Sequence, residues 1–426
     1  MPSLIDAAEA FSKLGKKSVE IEQSSCVRVR HRHASCNACL RVCAHEAITI
    51  ENNTLSIEST LCTGCGACAS VCPTEALRLI DDANERARSA IDRAAEAADP
   101  AALANEKQEA KSPQATSRTI AIACEYLRNQ ESISASNSAT GEGALSVPGR
   151  GTKTERLWIP CLAALDESTL IHAACAGVSL EYVSADCTHC PNRCGTLIGD
   201  IIDQAERFCA ELPGRPFGNV RIRPQWRIYE MKGASPSANT SPEMTRRGMF
   251  DHFVAHTTDS VAEAAVSTFY VGAHPVEEKP TLAQSLLEDD GKLRHITVER
   301  NAQILDDLYR NAADLDETDK ETEPESVIST RLFGEVNVDA SLCNLCGICM
   351  NFCPSRALSG TANPPMNLFV AATRATTITG ELAFRANDCV ACQLCADICP
   401  HDALEVRRGI RACDLFALEP HTLIKR

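Results

Sequence analysis

Twenty-four of the 426 residues are cysteine, and most stand at intervals that metal chemistry explains. Three stretches read C-x2-C-x2-C-x3-C-P in full: Cys62–Pro73, Cys343–Pro354 and Cys389–Pro400. Gaps of two residues let three thiolates take successive corners of one iron–sulfur cube while backbone amides point at the sulfurs. The fourth cysteine, a helical turn further on, faces away and suits the other cluster of a pair. A proline after it fits a chain that changes direction there. Zinc ordinarily takes ligands from separated pairs. Disulfides belong to oxidising compartments. Iron–sulfur ligation is therefore the reading for all three runs.

A fourth stretch is incomplete. Cys36-x2-Cys39-x3-Cys43 keeps the spacing, but His33 stands where the first ligand belongs and Ala44 replaces the proline. Cys26 lies seven residues before His33. Three readings stay open: Cys26 loops back as the fourth ligand, His33 ligates through its imidazole, or the site keeps an open iron or a three-iron cluster. Residues 27–33, Val-Arg-Val-Arg-His-Arg-His, read as a solvated basic strand.

A central group of cysteines has a different logic. Thr119–Ala123 predicts a strand ending at Cys124, Arg156–Pro160 one ending at Cys161, and Leu180–Ala185 one ending at Cys187. A helix over 167–175 stops at Gly177, and a second helix after Cys194 buries Leu197, Ile198, Ile201, Ile202, Ala205, Phe208 and Leu212. That alternation predicts a small parallel sheet. Open sheets of this kind bind ligands beyond the carboxyl ends of their strands. Cys187-x2-Cys190-x3-Cys194 adds thiols near a helix N-terminus, whose dipole favours thiolate. A metal site from Cys124, Cys161 and Cys187 with Cys190 or Cys194 follows, iron–sulfur being preferred to zinc because its neighbours are. Cys175 and Cys209 sit on helices beside apolar residues and read as core thiols.

The runs in 20–80 and 331–426 resemble bacterial-type dicluster ferredoxins, whose fold is two pseudo-symmetric ββα halves around two [4Fe–4S] clusters. Ala47–Ile50, a turn at Asn52-Asn53 and Leu55–Ile57 supply the hairpin of that fold. The resemblance implies crossed ligation. Cys62, Cys65 and Cys68 go with Cys43, and Cys36, Cys39 and Cys72 hold the incomplete site with Cys26 or an alternative. In the second module Cys343, Cys346 and Cys349 go with Cys399, and Cys389, Cys392 and Cys395 with Cys353. The connection 359–380 is longer than the family's. Residues 119–215 are similar to the delta subunit of methyl-viologen-reducing hydrogenase, in the order Pro160-Cys161, helix, then a strand ending at Cys187, Cys190 and Cys194. That family pairs cysteines in its first motif, whereas Cys124 stands alone here.

The elements that must hold these residues divide the chain. A dicluster module is expected over 20–80, a linker over 81–118, an α/β cysteine-rich domain over 119–215, a linker with helical segments over 216–330, and a second dicluster module over 331–426. The fold class is α+β ferredoxin-like modules at both ends of a small α/β parallel-sheet domain, joined by flexible linkers. The Ala- and charge-rich stretch from Glu85 predicts a solvated helix that frays. Ile304, Leu305, Leu308, Tyr309 and Ala312 predict one amphipathic helix face.

Composition bounds the function. The formal net charge of −15 argues against a nucleic-acid partner. No run of 18 apolar residues exists to span a membrane. The N-terminal residues lack the apolar core of a secretory signal, so a reducing, cytoplasmic setting is expected. Thr245–Phe250 looks like a twin-arginine export motif but lies mid-chain without an apolar stretch after it. No G-x-G-x-x-G follows a strand and no G-x-x-x-x-G-K-[ST] exists, and Gly141-Glu142-Gly143 lies in a Ser/Gly/Thr-rich stretch read as a mobile loop and is a weak signal. No catalytic residue stands out. The expected role is electron relay between redox enzyme subunits, such as a hydrogenase, through about four [4Fe–4S] clusters and a central [2Fe–2S] or [4Fe–4S] cluster. The alternatives are an oxidoreductase acting at its own open cluster and an assembly factor for a metalloenzyme.

Overall fold

The computed structural model describes residues 18–96, 119–128, 156–187, 190–212, 223–229, 293–312, 326–363, 379–417 and 419–426. Gly141–Gly143, Thr245–Phe250 and most of the 359–380 connection lie outside them.

The N-terminal module contains β1 (Val19–Ile21), α1 (Val27–Arg30), α2 (Ala38–Val42), β2 (Ile48–Glu51), β3 (Thr54–Ile57), α3 (Ala67–Val71) and β4 (Leu77–Leu79). β1 pairs antiparallel with β4, and β2 with β3. The β2–β3 turn is Asn52-Asn53 with φ of 49° and 57°. Two left-handed residues are what a two-residue type I′ hairpin requires, and asparagine tolerates them. The basic run departs from expectation. It forms the short helix α1, not a solvated strand, and buries Val27, Val29 and Arg30. The cause is distant in sequence: Val27 and Ala34 pack on Leu394 of the C-terminal module.

The central layer is built from α4 (Ala83–Glu96), β5 (Thr119–Cys124), β6 (Arg156–Ile159), α5 (Glu167–Cys175), β7 (Ser179–Ala185), α6 (Gly195–Glu211), β8 (Gln225–Tyr229) and α7 (Glu299–Ala312). All four strands are parallel, in the order β6-β5-β7-β8. Asp166 caps α5 by accepting from Ser168 N at 3.0 Å, and Gly177 at φ +66° ends it. Strand β8 lies beyond the expected domain. Its Trp226 pairs with Tyr182 in register and donates to Ser184 Oγ at 2.8 Å.

Two helices differ from their expected exposure. α4 is not solvated: Ala83, Ala87 and Ile91 are fully buried, and the helix packs on α5, β5 and β6. α7 packs on α5 through Ile304 and Leu308, whereas Tyr309 is 70% exposed. A helix at 3.6 residues per turn places Tyr309 past the edge of that stripe.

The C-terminal module repeats the first. It contains β9 (Val327–Ile328), β10 (Gly334–Val338), α8 (Ile348–Phe352), β11 (Leu358–Asn363), β12 (Thr379–Phe384), α9 (Leu394–Asp397), β13 (Leu404–Arg408), β14 (Ile410–Arg411) and β15 (His421–Lys425). β10 pairs with β13 as β1 does with β4, and β11 with β12 as β2 does with β3. β15 extends the second pair, and β9 pairs with β14.

One continuous apolar core includes buried residues from all three cysteine blocks. Gly66 of the first module approaches the central layer so closely that a Cβ there would stand 2.7 Å from Ala164 Cβ. Arginines lock the same junction. Arg300 of α7 donates to the Ser70 and Cys72 carbonyls at 2.8 and 2.9 Å. Arg331 donates to Ser70 O at 2.9 Å and forms a two-pronged pair with buried Glu167.

Candidate iron–sulfur sites

Each module folds its cysteine runs so that a short helix starts at the third cysteine and releases the fourth. Left-handed Gly66, Gly347 and Gln393 begin α3, α8 and α9. The first three sulfurs of a run thereby curl around one side of a pocket, and the other run of the module supplies the fourth. One pocket of about 390 Å³ is lined by Cys43, Cys62, Cys65 and Cys68. Another of about 320 Å³ is lined by Cys353, Cys389, Cys392 and Cys395. A third of about 400 Å³ is lined by Cys343, Cys346, Cys349 and Cys399.

The incomplete run gathers a comparable set. Cys26, Cys36, Cys39 and Cys72 lie within electrostatic reach of one another. Burial pushes the Cys39 thiol up to about 12 and raises Cys26 and Cys36 as well. His33 is exposed and accepts from Arg32 Nε at 3.2 Å. The structure therefore brings Cys26, not His33, to the other three sulfurs.

Strands β5, β6 and β7 deliver the central cysteines to one edge. A pocket of about 310 Å³ beyond their carboxyl ends is lined by Cys124, Cys161, Cys187 and Cys190. Cys194 stands apart from that lining. Its Sγ donates to Asn192 O at 3.1 Å and lies within electrostatic reach of both Cys161 and Cys65. The Cys161 and Cys65 sulfurs beside it raise the Cys194 thiol. Cys175 and Cys209 are neighbours on the inner faces of α5 and α6, and Cys413 is exposed; none lines a described pocket.

Two observations test whether iron–sulfur clusters fit. The first is the backbone. Ala47 N, Ala76 N and Ala403 N donate to the sulfurs of Cys43, Cys72 and Cys399 at 3.3, 3.2 and 3.3 Å. A thiol is a weak acceptor, so amides held at sulfur favour the anionic form that iron requires. The second is a set of buried polar atoms without a protein partner: His45 Nε2, Asn344 Nδ2 and Arg30 Nη1. His45 and Asn344 line two of the cysteine pockets. Arg30 feels Cys392 and Cys353. Buried donors ordinarily find acceptors, and cluster sulfides would supply them. Among the described residues no group of three or more His, Cys, Asp or Glu side chains is arranged to hold one metal ion. The sulfurs surround pockets, as a many-atom cluster needs. No cysteine pattern points to His45, Asn344 or Arg30, because none of them is a ligand by spacing.

Neighbouring sites lie close to one another. Cys194 lies within electrostatic reach of both Cys161 of the central pocket and Cys65, and Thr63 Oγ1 donates to Asn192 Oδ1 at 2.8 Å. Cys68 is within reach of Cys39 inside the first module. Across the module boundary Cys36 reaches Cys392, with Ser35 N and Oγ donating to Asp397 at 2.7 and 2.9 Å. Cys395 then reaches Cys349.

Among the described residues no helix is long and apolar enough to cross a membrane. No curated protein and no solved structure matches the chain. Residues 328–404 match the family described as a 4Fe-4S dicluster domain, and residues 55–78 the family described as a 4Fe-4S binding domain. Neither match reaches 119–215, so the likeness of that block to the hydrogenase delta subunit has no support from these comparisons. The chain thus carries 4Fe-4S ferredoxin-type domains in both its N-terminal and its C-terminal module.

Proposed function

We propose that this protein relays electrons between redox enzyme subunits through four [4Fe–4S] clusters and a fifth iron–sulfur cluster in the central pocket. The observation that carries the reading is the closely spaced series of cysteine sites, each within electrostatic reach of the next: central pocket, Cys65 site, Cys39 site, Cys392 site, Cys349 site. Electron transfer falls steeply with distance, so closely spaced sites conduct where scattered sites do not. The ligand sets follow the pockets. Cys26 completes the Cys36, Cys39 and Cys72 site, and Cys124, Cys161, Cys187 and Cys190 hold the central cluster, leaving Cys194 as the neighbour toward Cys65. A central domain related in role to the delta subunit of methyl-viologen-reducing hydrogenase, and a hydrogenase-type partner, belong to the same proposal. So does a reducing cytoplasmic setting, which unpaired thiols in this number require.

The enzyme alternative needs an open iron. Burial of Cys26 beside Cys36, Cys39 and Cys72 favours a full thiolate set instead. Anaerobic purification with iron and sulfide analysis tests the proposal. About 16 irons are expected from four cubes, plus two to four from the centre. Cys161→Ser and Cys187→Ser should each remove the central portion. Zinc in excess of iron, or fewer than about eight irons after reconstitution, refutes the count that four cubes demand. Turnover of a small substrate with reduced dye and no partner protein would favour the enzyme.

A further inference from the structure

Arg30 ends α1 and is 6% exposed. Its Nε donates to the Ser24 carbonyl at 2.6 Å, and its Nη2 donates to the Arg294 carbonyl. Nη1 is buried without a protein acceptor. A guanidinium does not deprotonate in proteins, and an uncompensated buried charge is costly. Glu22 is the carboxylate within reach, but its Oε1 already accepts from Ser24 N and Oγ at 3.1 and 2.5 Å. The sulfurs within reach are those of Cys392 and Cys353, which line one pocket of the other module. A positive side chain of the N-terminal module is thus held, by two carbonyls, against a site of the C-terminal module.

We infer that Arg30 tunes the cluster held by Cys353, Cys389, Cys392 and Cys395, its buried fixed charge beside Cys353 and Cys392 raising that cluster's reduction potential. This rests on the cluster reading proposed above. Reduction adds one electron to the cluster, supplied by the redox partner or by an added reductant, and makes and breaks no bond. The fixed positive charge stabilises the more negative, reduced form more than the oxidised one, in surroundings where charge is poorly screened. Hydrogen bonds to sulfur and local charge are the levers that set cluster potentials. The cluster on the receiving side of the module boundary is therefore the one whose potential Arg30 lifts.

An anaerobic redox titration of the full-length protein, followed by electron paramagnetic resonance, tests this. Arg30→Gln should retain full iron and move one cluster signal to more negative potential. The expected change is at least tenfold in the one-electron equilibrium, about 59 mV. The signal that moves should be the one altered in Cys392→Ser. Arg30→Lys, which keeps the charge but not the planar fork, should recover most of the shift. Unchanged potentials in an iron-replete Arg30→Gln protein overturn the inference. So does a shift in a signal that Cys392→Ser leaves intact, or a lysine variant as displaced as the glutamine one, which would mark Arg30 as a carbonyl tether. A chain that binds no iron refutes the cluster reading itself, and this inference with it.

Discussion

At the scale of residues, Cys26 enters its site from outside the run that surrounds it. Its sulfur is buried among Cys36, Cys39 and Cys72, whereas His33 is exposed and occupied by Arg32. Cys26→Ala should convert one cube to a three-iron cluster with its own paramagnetic signal, and His33→Ala should leave all signals in place. Loss of a cube in His33→Ala alone would assign the imidazole. The contrast with the full runs explains what spacing reveals. Ligands two residues apart are constrained by the local backbone, so Cys62–Cys72, Cys343–Cys353 and Cys389–Cys399 are legible at sight. Cys26 returns to its site through α1, which forms because Val27 meets Leu394 far along the chain. The same contact buries Arg30, although Val-Arg-Val-Arg alternates like an exposed strand. No local pattern contains either outcome.

At the scale of elements, the sheet edge is what turns dispersed cysteines into a site. Strands β5, β6 and β7 were predictable from their Ile, Val and Leu content, and each carries its cysteine to the same end. β8 lies beyond the expected domain even though Gln-Trp-Arg-Ile alternates polar and apolar residues as a half-buried edge strand does. α4 departs from expectation in another way. Its composition is that of a charged, alanine-rich linker, yet Ala83, Ala87 and Ile91 fall on one stripe that seals against α5 and the sheet. Ile91→Ala therefore tests whether α4 is structure or linker. Deleting a buried Ile side chain should lower stability by about 2–5 kcal/mol. Urea denaturation of the reconstituted protein, followed by circular dichroism, measures it. A change within about 0.5 kcal/mol, as surface sites give, would return α4 to the solvent.

At the scale of the whole molecule, the order of sites in space is not their order in sequence. The central cysteines follow the first module along the chain, yet their neighbours among the other cysteine sites lie in the first module: Cys65 lies near Cys194, and Cys36 near Cys392 of the second module. The duplicated modules meet where the Cys36 site of the first lies beside the Cys392 site of the second. One part of the boundary is apolar, where Val27 and Ala34 meet Leu394, with the Ser35–Asp397 bonds beside it. Reduced clusters this close should interact magnetically across the boundary as well as within each module. Ala34→Asp puts an unpaired carboxylate into that apolar contact, at a desolvation cost the contact cannot offset. Its expected effect is selective. Iron content stays at the wild-type value, signals of isolated reduced clusters persist, and the splitting assigned to the boundary disappears from the spectrum of the fully reduced protein. If the proposed relay holds, electron flow between the central site and the Cys349 site then slows, because the series is broken at one step. A fully reduced wild-type protein without any splitting beyond that of two separate dicluster modules would show instead that the two modules conduct independently.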